Sequence, residues 1–329
     1  MTTSVAMCTY NGARFIEEQL RSILNQTKLV GEIIVCDDGS TDKTVNIIQK
    51  IAEETTIPIR IYINETNLGC VQNFEKAIHL CQGDLIFLSD QDDIWLPEKV
   101  EIIVDWFNKN LNKDVVFGNA FLIDEYGDII MKSSVSDRYK QNDSPFYLWD
   151  SIGFSELSQK QFDMGFALEL WARGNRATGA TMAVKRDFAV NAFSKRVDKE
   201  IYHDSQLCIE ALLNDSLGYY TTPLTFYRIH SSQQIGCVLR LPIPKGWDDV
   251  RYASMDVPYY LPSIKNQNQQ KRAYFIKERY RLQHSKLNLL FKFITSYKSI
   301  YEKKWSYLFL FDVYKSFRHT LKSFIKSEK

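Results

Sequence analysis

Leu85-Ile86-Phe87-Leu88-Ser89-Asp90-Gln91-Asp92-Asp93-Ile94-Trp95 is an apolar run that ends in three carboxylates within four residues. An unbroken apolar run bounded by turn residues reads as a strand buried on both faces, the kind found in parallel sheets flanked by helices. Carboxylates crowded at the exit of such a strand repel one another and lose solvation. A cation among them relieves both penalties. Hard oxygen ligands on a short loop suit Mg²⁺ or Mn²⁺, ions that keep coordination positions open for a substrate's phosphate oxygens. The competing reading is a solvated acidic turn that caps the helix opened by Pro97.

The chain on either side follows the same grammar. Ser4–Met7 reads as a short strand and Ala13–Leu24 as a helix with Phe15, Ile16, Leu20, Ile23 and Leu24 on one face. Glu32–Cys36 is a strand, Thr41–Ala52 a helix, Ile57–Ile63 a β-branched strand and Val71–Leu80 a helix. Repeated strand–helix alternation with apolar strands predicts an α/β fold with a mainly parallel sheet covered on both faces. Ligands of such sheets bind at the carboxyl ends of the strands. The polar clusters Thr9-Tyr10-Asn11-Gly12, Asp37-Asp38-Gly39-Ser40 and Ser89–Asp93 all sit at predicted strand exits, and that convergence favours a site over an acidic turn.

Further along, Asp124-Glu125-Tyr126-Gly127-Asp128 reads as a hairpin turn between Asn119–Ile123 and Ile129–Met131. Ser133–Asp150 is polar and reads as a mobile loop, and Thr181–Val184 as a strand. Tyr202-His203-Asp204-Ser205-Gln206 precedes the apolar-periodic Leu207–Leu213, and Tyr227-Arg228-Ile229-His230 follows the strand-like Leu224–Phe226.

Composition bounds the rest. With 329 residues, 45% hydrophobic and 25% charged, the chain is large enough for one big core or two domains. No basic, apolar leader is visible at the N-terminus and no apolar run reaches bilayer length, so a cytoplasmic location is expected. The six cysteines lack CxxC or metal-finger spacing and read as reduced, mostly buried thiols. The formal net charge of +1 hides an asymmetry: residues 265–329 hold 16 Lys and Arg against 4 Asp and Glu, while the residues before them hold 25 against 36. Lys and Arg interleave there with Tyr274, Phe275, Tyr280, Trp305, Tyr314 and Phe317. A basic, aromatic, helical region suits the anionic inner face of a membrane or a diphosphate-lipid acceptor. It equally suits a helical subdomain packed on the preceding domain or on a second copy of the chain. No nucleic-acid-binding motif accompanies the charge.

Met7-Cys8-Thr9-Tyr10-Asn11-Gly12, Val35-Cys36-Asp37-Asp38-Gly39-Ser40-Thr41-Asp42, Asn67-Leu68-Gly69 and Ser89–Trp95, in that order, resemble the family 2 glycosyltransferases of the GT-A fold. These are inverting enzymes that take a sugar from a nucleoside diphosphate. The resemblance covers roughly residues 1–240, leaving 265–329 as a separate C-terminal region. The Ser89–Trp95 variant, with His203-Asp204 and Tyr227-Arg228-Ile229-His230, is similar to the rhamnosyltransferase-like branch of bacterial polysaccharide synthesis. That branch serves O-antigen, capsule and cell-wall polymers.

The resemblance implies a role for each matched residue. Asp38 would accept the N3–H of uracil or thymine, with Thr9, Tyr10, Asn11 and Asn67 around the nucleotide. Asp90 would lie on the ribose or metal side, and Asp92 would hold Mn²⁺ or Mg²⁺ as a Lewis acid on the diphosphate. Asp204 would be the general base, with His203 the next candidate, and His203 departs from the glutamate many relatives carry. His230 would complete the metal site, and Arg228 is a candidate diphosphate contact. The implied partners are a dTDP- or UDP-sugar donor, with dTDP-rhamnose the leading choice and UDP-hexose or UDP-N-acetylhexosamine behind it. The implied acceptor is a glycan or a polyprenyl-diphosphate-linked sugar.

Plainer roles stand beside these. Ser40 or Thr41 with Asp42 can cap a helix, Asp204 can be an N-cap, Asp93 can brace its loop, and Trp95 reads as core. Two other classes compete: a nucleotidyltransferase, which normally opens with a Gly-rich Arg/Lys loop absent here, and a non-catalytic nucleotide-sugar-binding subunit.

Overall fold

The computed structural model describes residues 1–135, 140–141, 143–167, 175–194 and 202–233, all within one compact unit, Met1–Gln270. Cys237 and the basic region 265–329, with its expected membrane, acceptor or oligomer contacts, lie outside the described residues.

Strands and helices alternate as the apolar periodicity requires. The order is β1 (Thr3–Thr9), α1 (Ile16–Leu24), β2 (Glu32–Asp37), α2 (Thr44–Glu54), β3 (Ile59–Ile63), α3 (Gly69–Leu80) and β4 (Leu85–Ser89). Then come β5 (Ile94–Trp95), α4 (Lys99–Lys109), β6 (Val115–Gly118), β7 (Phe121–Ile123), α5 (Lys132–Val135), α6 (Leu148–Ile152) and α7 (Glu156–Gln161). After a 3₁₀ turn at Gly179–Thr181 follow β8 (Met182–Lys185), α8 (Arg186–Ser194), α9 (His203–Leu213), β9 (Leu217–Tyr220) and β10 (Thr225–Arg228).

Seven strands form one sheet in the order β3-β2-β1-β4-β8-β6-β9. The first four are parallel, and β8 runs antiparallel to both β4 and β6. The sheet is mainly parallel, as expected of a Rossmann-like mixed sheet, with β8 its single reversed strand. Alternate strand residues Val5 and Met7, Ile33 and Val35, Leu85 and Phe87 point into one core with Ile16, Leu20 and Ile23 of α1 and Ile48 and Ile51 of α2. The opposite faces of β1 and β2 are covered by α3. At roughly 1.5–3 kcal/mol per buried aliphatic side chain, this two-sided burial is what selects the parallel arrangement.

After β1 the chain builds outward through β2 to β3, then returns through α3 to place β4 on the other side of β1. The reversal leaves a crevice between the carboxyl ends of β1 and β4, the position where doubly wound sheets bind ligands.

A second, three-stranded sheet in the order β5-β10-β7 closes over that end. Its middle strand is antiparallel to β5, pairing Thr225 with Trp95, and parallel to β7, pairing Arg228 with Ile123. The residues that follow the acidic loop are thus fastened by a segment far along the chain.

Several sequence expectations shift by a turn. The second helix starts at Thr44 instead of Thr41, because Ser40 and Thr41 are drawn into contacts with Asp37 and Asn11. The hairpin turn at Asp124–Asp128 is present, with Asp128 O accepting from Asp124 N at 3.0 Å, but its second arm is reduced to a bridge at Ile129. The segment read as a loop over Ser133–Asp150 instead takes in most of α5 and the start of α6, anchored by buried Phe146, Leu148 and Trp149. Among the described residues the cysteines are free thiols, and no helix is long and apolar enough to cross a membrane.

Candidate functional site

Three loops leave neighbouring parallel strands and meet at the crevice: Tyr10–Ala13 after β1, Asp38–Lys43 after β2 and Asp90–Asp93 after β4. The first two are welded by side chain to backbone bonds. Asn11 N donates to Ser40 Oγ at 2.8 Å, Gly12 N to Thr44 Oγ1 at 2.8 Å and Ala13 N to Asp42 Oδ2 at 3.0 Å. In return Asn11 Oδ1 accepts from Thr41 N at 2.8 Å, and Asn11 takes a left-handed φ of 50° to do so. Asp42 also accepts the Thr44 N–H at 2.9 Å, so it is the residue that satisfies the start of α2.

The two aspartates at the β2 exit have separate jobs. Asp37 is fully buried and accepts from Thr9 Oγ1 at 2.7 Å, Ser40 Oγ at 2.6 Å and Ser40 N at 2.7 Å. It organises the turn, and it takes up the hydroxyl of Thr9. Asp38 reaches the other way: Oδ1 accepts from Asn64 Nδ2 at 2.8 Å and Leu68 N at 2.7 Å, and Oδ2 from Gly69 N at 2.8 Å. Asn67 Nδ2 donates to the Asp38 carbonyl at 3.3 Å. The Asn67-Leu68-Gly69 turn is therefore wrapped around Asp38. A carboxylate has about four acceptor positions, so three donors leave one on Oδ2.

In the acidic loop each carboxylate has a different setting. Asp93 is buried, and its Oδ1 accepts the Arg228 N–H at 3.0 Å, so it braces β10. Asp92 Oδ2 lies 2.8 Å from His230 Nε2, whose Nδ1 is 2.8 Å from Ser232 Oγ. Both ring nitrogens of His230 thus have partners, which suits orienting Asp92 better than direct ligation. The carboxylate of Asp90 has no hydrogen-bond partner among the described residues. Loss of solvent first, then the charges of Asp92 and Asp204, push it up to about 7, with Lys99 pulling the other way.

Asp204 stands in the first turn of α9, its Oδ1 accepting the Ser205 N–H at 2.6 Å. Its approach to the other loops shows at Cys70, whose thiol is raised by burial and then by Asp90, Asp204 and Asp38. The structure therefore brings Asp38, Asp90, Asp92 and Asp204 to one place. His203 is turned away from that role: it is buried, stacked on Phe74 with ring centroids 4.0 Å apart, and passes so close to Gly179 that a Cβ there would lie 2.6 Å from its Nε2.

Arg228 corrects a sequence expectation. It is 1% exposed, with Nε donating to the Asp92 carbonyl at 2.8 Å, Nη2 to Glu18 at 2.5 Å and Nη1 toward the Asp124 carbonyl at 3.4 Å. Its guanidinium is closed off from solvent and committed to these partners, so it holds the acidic loop and is not open to a diphosphate. Trp95 is core, against Phe87 and under the Lys99 ammonium 3.9 Å from its ring centre. Lys99 was not singled out by sequence, yet it is buried, donates to Thr225 Oγ1 at 2.9 Å and the Ala180 carbonyl at 3.1 Å, and is pulled down to about 7 by burial. One lysine in a helical pattern gives no signal of this.

The Asp90 setting has a consequence for stability. A carboxyl whose folded pKa is raised from about 3.9 to about 7 contributes stability below pH 4 and loses it as pH rises through 7. In EDTA, Asp90→Asn should therefore gain stability on wild type between pH 4 and pH 8. Urea midpoints for the two proteins at those pH values check it; a constant difference would contradict the setting.

Hard carboxylates with one unpartnered member fit a divalent cation by donor type. Among the described residues, no three His, Cys, Asp or Glu side chains are grouped closely enough to hold an ion as they stand.

Residues 4–164 match the family described as Glycosyl transferase family 2. The dTDP-rhamnosyl transferase RfbG of Shigella flexneri is 31% identical over 244 residues, covering 70% of this chain and 73% of that protein. Chondroitin synthase of Escherichia coli is 35% identical over 127 residues, 39% of this chain and 18% of that protein. The chain spans less than half the length of several curated relatives it matches. Among solved structures, S. aureus TarS 1-349 in complex with UDP-GlcNAc aligns with a TM-score of 0.51 at 17% identity, covering 71% of this chain and 60% of that one, a likeness of fold.

Proposed function

The chain belongs to glycosyltransferase family 2, and from that premise we propose that it transfers a sugar, with inversion, from a nucleoside diphosphate to a hydroxyl of a glycan or lipid-linked acceptor in bacterial surface polysaccharide synthesis. The observation that carries this reading is the meeting of Asp38, Asp90, Asp92 and Asp204 at the β1–β4 crevice, on two separate loops and a helix start.

The roles divide by setting. Asp38, held by Asn64, Leu68 and Gly69, keeps one acceptor position on Oδ2 for the N3–H of a pyrimidine base. Thr9, Asn11 and Asn67 act through the backbone shape they impose around it. Asp90 and Asp92 would hold Mg²⁺ or Mn²⁺, with His230 orienting Asp92. The ion supplies Lewis-acid stabilisation of the charge on the departing nucleoside diphosphate. Asp204 takes the proton of the attacking hydroxyl, and Arg228 and Asp93 fix the loop that carries the other two carboxylates.

We take dTDP-rhamnose as the donor, a choice supported by the 31%-identical rhamnosyl transferase. Nucleoside-diphosphate release should be measured across dTDP-rhamnose, UDP-glucose, UDP-galactose and their N-acetyl forms, with Mg²⁺ and Mn²⁺. Release from dTDP-rhamnose above the others is expected. Release from a UDP-sugar alone would overturn the donor, and release from none would overturn the transferase reading.

A further inference from the structure

Gln91 sits between Asp90 and Asp92, but its side chain does not share their direction. It lies across the crevice against the β1 loop, where Oε1 accepts the Tyr10 N–H at 2.8 Å and Nε2 donates to the Tyr10 carbonyl at 3.1 Å. An amide that pairs both polar groups of one residue's backbone fixes that residue in position and in orientation. Among the described residues these are the only hydrogen bonds between Tyr10–Ala13 and Asp90–Asp93. Gly12 makes the approach possible, since a Cβ there would come within 2.2 Å of Gln91 Oε1. The β1 loop in turn carries the bonds to Ser40, Thr44 and Asp42 described above, so whatever shifts Gln91 is felt at the Asp38 side of the crevice.

We propose that Gln91 is a positioning residue that couples the two halves of the site, so that a divalent cation at the acidic loop strengthens binding of the nucleoside at the Asp38 loops, and the nucleoside strengthens binding of the cation. The proposal rests on the functional reading above. Linkage requires the effect to be equal in both directions, and coupling between sites is typically 5–150-fold. A backbone clamp can carry it because ordering one loop removes conformational freedom that the second ligand would otherwise have to remove.

The test must exclude the direct route, in which the ion bridges the diphosphate. Thymidine and uridine have no phosphate, so any effect of Mg²⁺ on their affinity passes through the protein. Their dissociation constants should be measured by ligand-observed NMR in EDTA and in saturating Mg²⁺, beside dTDP and UDP as the bridging case. In the wild type, Mg²⁺ should strengthen thymidine or uridine by about fivefold or more. In Gln91→Met, which keeps length and loses both bonds, that ratio should fall to about one, while Mg²⁺ still strengthens dTDP or UDP. Gly12→Ala should lose the same ratio by displacing the amide, and the double variant should lose no more, as expected of two changes acting on one contact. Gly12→Ala also serves if Gln91→Met does not fold.

A preserved nucleoside ratio in Gln91→Met would overturn the coupling. So would a wild type in which Mg²⁺ strengthens the diphosphates and leaves the nucleosides unchanged, and in that case the functional reading would stand. A wild type that binds neither nucleosides nor diphosphates would remove the functional reading, and the coupling with it.

Discussion

Asp204→Asn should retain nucleotide and cation binding close to wild type and transfer sugar roughly 10²–10⁴-fold more slowly, the usual cost of losing a positioned proton acceptor. The side chain stands in the first turn of α9 with its Oδ1 on the Ser205 N–H, and an asparagine carbonyl can take that same bond. The substitution therefore leaves the helix start intact and removes only the ability to take a proton. Initial rates and nucleotide affinity on the same preparation separate the two effects. Near wild-type turnover would move the base to another residue. His203 is poorly placed to inherit the role, because it is buried and stacked on Phe74. The product should also carry the anomeric configuration opposite to the donor's, and a retained configuration would remove direct displacement itself.

Asp92→Asn should abolish transfer to about 10³-fold below wild type or lower, as expected where an ion supplies several kcal/mol at the departing diphosphate. The fold should survive. The introduced amide can still pair with His230, and Arg228 holds the loop through the backbone carbonyl of residue 92, which the substitution does not touch. EDTA should abolish wild-type transfer, and Mg²⁺ or Mn²⁺ should restore it. Full activity in EDTA, or in Asp92→Asn, would remove the cation from the site.

The parallel half of the fold was legible because strands buried on both faces leave long apolar runs, and β1, β2 and β4 lie within a residue or two of their expected bounds. The strand exits then located the polar clusters without further help. Side-chain direction was not legible. Asp37 and Asp38 are adjacent in sequence, yet one closes its own turn and the other reaches to Leu68 and Gly69, and only the path of the backbone after β2 decides which. The burial of Arg228 and Lys99 is not legible for a related reason: a charged residue is expected in solvent or on a ligand unless its buried partners can be seen. Those partners, Glu18 and Asp124 for one and Thr225 and Ala180 for the other, are remote in sequence. Gln91 carried no signal beyond standing among aspartates.

The pairing of β10 with β5 has a consequence for the order in which the molecule comes into being. Asp93 receives the backbone N–H of a residue 135 positions later. On the ribosome, at about 5–20 residues per second, that partner emerges roughly 7–27 s after the loop it secures. Early in this interval the parallel strands β1 to β4 already have one another, although β4 still awaits β8, while the aspartates beside them lack the strand that fixes their loop. Nascent chains should therefore acquire a protected core well before they acquire a competent site, which must wait at least for Thr225–Arg228 to brace the loop and for His230 to orient Asp92.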